Sequence, residues 1–206
     1  MTTAAPLLDN ETERAAVGSP LDRHVGRLPV AAHRFDNAKR RRPDHHARQA
    51  MLTPPYALEP VRELLGGIGL DPCTEPDNPT RADKWYSLPA DGCALPWDAP
   101  TVWCNPPYGP FAAKWLERCA DHGNAVAFVF ARTETAMFQD HVWPKADAML
   151  FLRGRVQFRL PGGGRSGPAG APSVLIAYGQ ANADALALCG ISGAFVRLRA
   201  SDLEAA

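Results

Sequence analysis

Ala125-Val126-Ala127-Phe128-Val129-Phe130 is six apolar residues in a row, with no polar alternation. A strand with one wet face alternates; a strand covered on both faces of a parallel sheet reads as a continuous apolar run. Residues 125–130 are therefore read as a strand buried on both faces of a parallel sheet. Ala148-Met149-Leu150-Phe151-Leu152 and Ser173-Val174-Leu175-Ile176-Ala177-Tyr178 read as further buried strands. Ala194-Phe195-Val196-Arg197-Leu198 alternates, as a terminal edge strand does. Between and before these runs the period changes. Phe111 to Asp121 is amphipathic, with Phe111, Trp115, Leu116 and Cys119 on the inner side, and His122-Gly123 closes it. Glu134 to Val142 is a second helix, stopped before Pro144. Upstream, Leu58, Val61, Leu64 and Leu65 recur at helical spacing until Gly66-Gly67 ends that helix. Ile68-Gly69-Leu70 is a short buried strand ending at Asp71-Pro72, Trp85-Tyr86-Ser87 a brief strand, and Thr101-Val102-Trp103 the central strand. Strands separated by helices imply a doubly wound, mostly parallel α/β sheet. Arg153 to Pro172 reads as a Gly/Pro/Arg loop.

Bulk properties narrow the classes. The chain has 206 residues and a formal net charge of zero, so any attraction to a polyanion must be local. Its five cysteines, Cys73, Cys93, Cys104, Cys119 and Cys189, are scattered and form no Cys-x-x-Cys pair. That argues for a reducing compartment and against a disulfide framework or a zinc site, so no metal is expected. No apolar run approaches the roughly 18 residues that cross a bilayer. The N-terminus lacks the basic and apolar regions of a signal peptide. The expectation is a soluble, cytoplasmic protein. Residues 1–50 are poor in periodic apolar positions and read as a disordered polar tail, with the folded domain over 51–206. The tail holds Lys39-Arg40-Arg41-Arg42, either a solvated basic run or a non-specific phosphate contact.

The chemistry concentrates in Trp103-Cys104-Asn105-Pro106-Pro107-Tyr108-Gly109. Two prolines fix φ and carry no N–H groups. The residue before each is pushed to extended geometry. Such a loop cannot fold its carbonyls into a turn ladder. The Asn105 amide oxygen and the Pro106 carbonyl can accept from an exocyclic NH2, and Tyr108 offers a ring face. In an open α/β sheet, ligands sit beyond the carboxyl ends of strands. The loops after Leu70, Leu95 and Trp103 are expected at such ends.

The spaced set Thr53-Pro54-Pro55, Leu70-Asp71-Pro72, Asp91-Gly92 and Asn105-Pro106-Pro107-Tyr108-Gly109 resembles the small, phage-type DNA N6-adenine methyltransferase family. So does Phe151-Leu152-Arg153-Gly154-Arg155-Val156-Gln157-Phe158. The resemblance runs from about residue 51 to 178. It implies a compact Rossmann-like fold, S-adenosyl-L-methionine as cofactor and double-stranded DNA as partner, with a role in phage DNA modification against host restriction. It also implies catalytic roles for Asn105, Pro106, Pro107 and Tyr108. Thr53 and Pro54 are similar to an element that holds the methionine end of the cofactor; Thr53 also suits a helix start. Asp71 would accept from the cofactor ammonium or a ribose hydroxyl, or cap the next turn. Asp91 would read the cofactor adenine, and Asp77 or Asn78 would serve the ribose. The usual glycine-rich turn after the first strand is here Asp71-Pro72-Cys73-Thr74.

Adenine N6 is a poor nucleophile because its lone pair is delocalised into the ring. Two acceptors on its N–H bonds favour a directed lone pair, a gain of orientation and fixed electrostatics that needs no His or Glu dyad. A base within a duplex must first be flipped out. Arg153, Arg155, Arg159 and Arg165 lie in a stretch, 151–170, that holds no acid. They read as a DNA-facing loop, or as a mobile one with solvated charge. Cytosine N4, RNA guanine N2 and a protein glutamine amide remain alternative acceptors, and a non-catalytic DNA-binding remnant is the alternative of another class. Recognition sequence and oligomeric state are not legible in the chain.

Overall fold

The computed structural model describes residues 51–199. The tail over residues 1–50, with its basic run, lies outside the described residues. The elements follow in the order α1 (Pro55–Leu64), β1 (Leu70–Asp71), β2 (Lys84–Trp85), β3 (Val102–Cys104), α2 (Ala112–His122), β4 (Ala125–Phe130), α3 (Ala136–His141), β5 (Ala148–Leu152), β6 (Gln157–Arg159), β7 (Arg165–Pro168), β8 (Ser173–Tyr178), α4 (Gln180–Leu188) and β9 (Gly193–Arg197).

Seven strands make one mixed sheet in the order β2-β1-β3-β4-β8-β5-β9, and β6 and β7 pair separately as a hairpin. The pairs β1–β2, β1–β3 and β3–β4 are parallel. β8 lies antiparallel between β4 and β5, so those two share a direction. β9 runs antiparallel to β5 at the edge. Strands β1 to β5 thus point one way, and β8 and β9 the other.

Side-chain alternation along each strand feeds two cores, one on each face. Val126 and Phe128 of β4 join Trp103, Leu150, Leu175 and the apolar faces of α1 and α4. Ala125, Ala127 and Val129 of the same strand join Val102, Met149, Ile176 and the faces of α2 and α3. All of Ala125 to Val129 are at most 2% exposed, which is why no polar position interrupts the run.

The sequence leaves several marks that the structure revises. Phe111, read as part of the inner face of α2, is 69% exposed at the helix N-cap, while Trp115, Leu116 and Cys119 are buried. Residues 153–172 are not a plain loop: β6 and β7 form a hairpin there, tied to the start of the domain by a Leu52–Arg159 bridge. The loop after Leu95 follows no strand. Helix α4 leaves no periodic mark in the sequence. Its Gln-Ala-Asn-Ala-Asp-Ala-Leu-Ala-Leu composition favours helix by propensity but shows little amphipathic period. Gly123, at φ +73°, ends α2 in the left-handed conformation that a residue with Cβ resists.

Candidate active site

From β1 the chain passes to β2 on one side; β3 and then β4 follow on the other. The order reverses between β1 and β3, and in open α/β sheets the crevice at such a reversal, outside the carboxyl ends, is where ligands bind. Asp71 closes β1 and Asn105 follows directly on β3, so the two stand at neighbouring tips. Cys73 Sγ and Cys104 Sγ, 3.8 Å apart, close the floor between them.

Asn105 is held at both ends of its amide. Nδ2 donates to the Met51 carbonyl at 2.6 Å, and Oδ1 accepts from the Tyr108 hydroxyl at 3.1 Å. The first bond joins the segment before α1 to the β3 tip. It also fixes which way the amide faces, because only the nitrogen can donate. An amide oxygen carries two lone pairs, so Oδ1 keeps one acceptor position beyond Tyr108. The Tyr108 ring is half-buried. Its centroid lies 4.3 Å from that of Phe130, the last residue of β4, with planes at 27°, and Phe158 of β6 meets it edge-on at 5.6 Å. Burial pushes the Tyr108 phenol far above its ordinary range, so it acts as a hydroxyl donor and never as a base. The arrangement differs from a ring with two free faces: Phe130 already occupies one. Beyond Tyr108 opens a cavity of about 420 Å3, lined by Tyr108, Gly109, Ala112, Val129, Phe130, Arg132 and Met137.

Asp71 is 2% exposed. Its Oδ1 accepts from the Cys73 N–H at 3.1 Å and its Oδ2 from the Thr80 hydroxyl at 2.8 Å. Burial outweighs these bonds and raises the carboxyl to about 6. It is ionised at neutral pH with little margin. Asn78 braces the same loop: its side chain donates to the Ala82 carbonyl at 2.9 Å and accepts from the Ala82 N–H at 3.1 Å. Asn78 adopts φ +48° there, a conformation asparagine tolerates better than most residues.

Thr53 does not cap α1; Pro54 stands at the N-cap and no side chain bonds there. The Thr53 hydroxyl is buried without a hydrogen-bond partner. Thr53 lines a second, smaller cavity of about 180 Å3 with Glu59, Asp77, Arg159 and the hairpin-tip glycines Gly162 and Gly163. Asp91 is exposed and accepts from the Cys93 N–H at 3.1 Å. The neighbouring Gly92 sets its place: a Cβ there would lie 1.8 Å from the Pro72 carbonyl oxygen, so only glycine lets this segment rest against the β1 tip. The Trp97 indole N–H donates to the Gly92 carbonyl at 2.9 Å and pins the contact.

Arg153 and Arg155 are exposed in the turn after β5, and Arg165 is exposed on β7 directly opposite Arg159 on β6. Among the described residues none of these four arginines makes an ion pair. Phe130, Arg132, Met137 and the Met51 carbonyl complete the site, and the sequence reading assigned none of them a role. The signal for Phe130 was present in its position as the last residue of the apolar run 125–130. Nothing local marks the Met51 carbonyl, because its partner lies 54 residues away.

No group of three or more His, Cys, Asp or Glu among the described residues could hold a metal ion. No helix among them is long and apolar enough to cross a membrane. No family model matches the chain, no curated protein matches it, and no solved structure matches it.

Proposed function

We propose that the protein is an S-adenosyl-L-methionine-dependent methyltransferase of the Rossmann-like kind, acting on an exocyclic ring amine, with adenine N6 of duplex DNA as its substrate. The observation that carries the reading is the Asn105 amide. It is anchored by its nitrogen at the carboxyl tip of β3, beside the strand-order reversal, and its oxygen bonds the hydroxyl of Tyr108, whose ring lines a cavity. There Oδ1 and the Pro106 carbonyl can accept the two N–H bonds of an amine and direct its lone pair. The cavity beyond Tyr108, with its aromatic and apolar wall, matches the size and lining of a site for a planar ring.

The residues present fit the amino-acid end of the cofactor. The orphaned Thr53 hydroxyl would gain a partner from an ammonium or carboxylate group. Asp71, ionised at neutral pH, would accept from the ammonium. At about 180 Å3 the cavity around Thr53 is smaller than the roughly 300–1,000 Å3 of whole-ligand sites, and suits that end alone. When bound, the cofactor supplies an electrophilic sulfonium methyl. The chain's own part is to orient the amine, hold it out of water and keep the phenol of Tyr108 protonated.

The arginine hairpin favours nucleic acid over a protein glutamine. Like charges directly opposite across a strand pair repel, as Arg159 and Arg165 do, and a phosphate between them relieves this. The test is incubation of the full chain with labelled S-adenosyl-L-methionine and unmethylated duplex DNA, followed by mass spectrometry of the nucleosides. N6-methyladenine is the expected product. N4-methylcytosine would shift the substrate, and the absence of cofactor binding by calorimetry would leave a non-catalytic nucleic-acid binder.

A further inference from the structure

Phe111 stands where its spacing does not send it. It follows Pro110, sits at the N-cap of α2 and is 69% exposed, although its neighbours in the helix bury their apolar side chains. Gly109 and Ala112 on either side both line the Tyr108 cavity, and Phe111 does not. The chain at Phe111 therefore runs along the rim of that cavity, and its ring is open to solvent. Its carrier is stiff, because Pro106, Pro107 and Pro110 each fix φ within the preceding five residues. Lys114, also exposed, lies one helical turn on, on the same side of α2. A single exposed phenylalanine is ordinary on a protein surface. One held on a proline-braced loop, beside a cavity proposed to take a base and next to a cation, is placed for a task.

A base that leaves a duplex opens a gap in the stack, and the unstacking costs free energy that the protein must offset. Apolar side chains inserted between base steps are a general means of doing so. Resting on the reading of the Tyr108 cavity as the receptacle for the target base, we propose that Phe111 is the wedge that enters the stack as that base turns out, with Lys114 on an adjacent phosphate. Phe111 on this account touches the duplex and not the reacting atoms. It matters where the base must be extracted, and not where it is already free.

The experiment compares methyl transfer by the full chain to native and to heat-denatured unmethylated genomic DNA, for the natural protein, Phe111→Ala and Phe111→Leu. Phe111→Ala is expected to lose about tenfold or more on native DNA and to stay within about twofold on denatured DNA, with Phe111→Leu recovering part of the loss. Equal losses on both forms, or no loss on either, overturn the wedge while leaving the methyltransferase reading intact. If the natural protein methylates neither form, the proposed function fails, and the wedge with it.

Discussion

The two halves of the sheet differ in almost every physical respect. On one side β1, β2 and β3 are two or three residues long and parallel. On the other, β4, β8, β5 and β9 are five or six residues long and pair in continuous antiparallel register. The long half carries most of the apolar ladder and little chemistry. The short half ends its strands early and hands the chain to Asp71, Thr80, Asn105 and Tyr108. Short strands are weak scaffolding by themselves, but they leave loops close to the sheet's axis, where a neighbour such as the Met51 carbonyl can brace them. Strand β4 belongs to both halves: its body is core, and its last residue, Phe130, stacks on Tyr108. The molecule thus separates the part that stabilises from the part proposed to bind.

Substitutions on either side of that boundary should separate stability from activity. The largest stability effect belongs to the long half. Phe128→Ala removes a fully buried ring from β4 and should cost about 3–5 kcal/mol in chemical denaturation. A loss under about 1 kcal/mol would mean the long half is not the stabilising one. Asn105→Ala should cut methyl transfer by about 10²–10³-fold, the scale of losing one preorganised group. It should cost only about 1 kcal/mol or so of stability through the bond to Met51. A variant that unfolds, or one that turns over normally, would break the division.

Asp71 adds a pH signature. Its carboxyl sits at about 6 in the folded chain against an ordinary 3.8, so the native state holds the proton more tightly than the unfolded state. That contribution to stability is fully present below pH 3.8 and is lost as pH rises through 6. Asp71→Asn should remove this fall and gain roughly 2–3 kcal/mol at pH 7, at the expense of cofactor affinity. Denaturation midpoints measured from pH 4 to pH 7 check the sign; a slope that survives the substitution would refute the assignment. Gly92→Ala comes next, at about 1–3 kcal/mol, since its Cβ would drive the Asp91 segment off the Pro72 carbonyl. Thermal melts would register it. Thr53→Val should have the smallest effect on stability, neutral or up to about 1 kcal/mol stabilising, because the hydroxyl it removes has no partner. Calorimetry with S-adenosyl-L-methionine should nonetheless show weaker binding, and unchanged affinity would remove Thr53 from the site.

Much of the long half was legible in the chain. The apolar run of residues 125–130 coincides with β4, and residues 148–152 and 173–178 with β5 and β8. The direction of β8 was not, because a strand covered on both faces reads alike whether its neighbours run with it or against it. The hairpin β6–β7 was hidden by glycine and proline, which mark loops and hairpin turns equally. Helix α4 was hidden by alanine, whose small side chain packs on any side and leaves no period to read. Phe111 was misplaced because spacing predicts a face only within the helix, and an N-cap residue belongs half to the loop before it.

By itself the sequence determined the strands of the core, three of the four helices that cover them and the rigidity of the Asn105–Tyr108 loop, since each follows from composition, period or proline within a few residues. Only the tertiary structure decided that Asn105 is anchored on Met51, that Tyr108 packs against both Phe130 and Phe158, and that Gly92 rests on Pro72. Those contacts join residues far apart in the chain, and local pattern carries no record of which distant groups a fold will bring into reach.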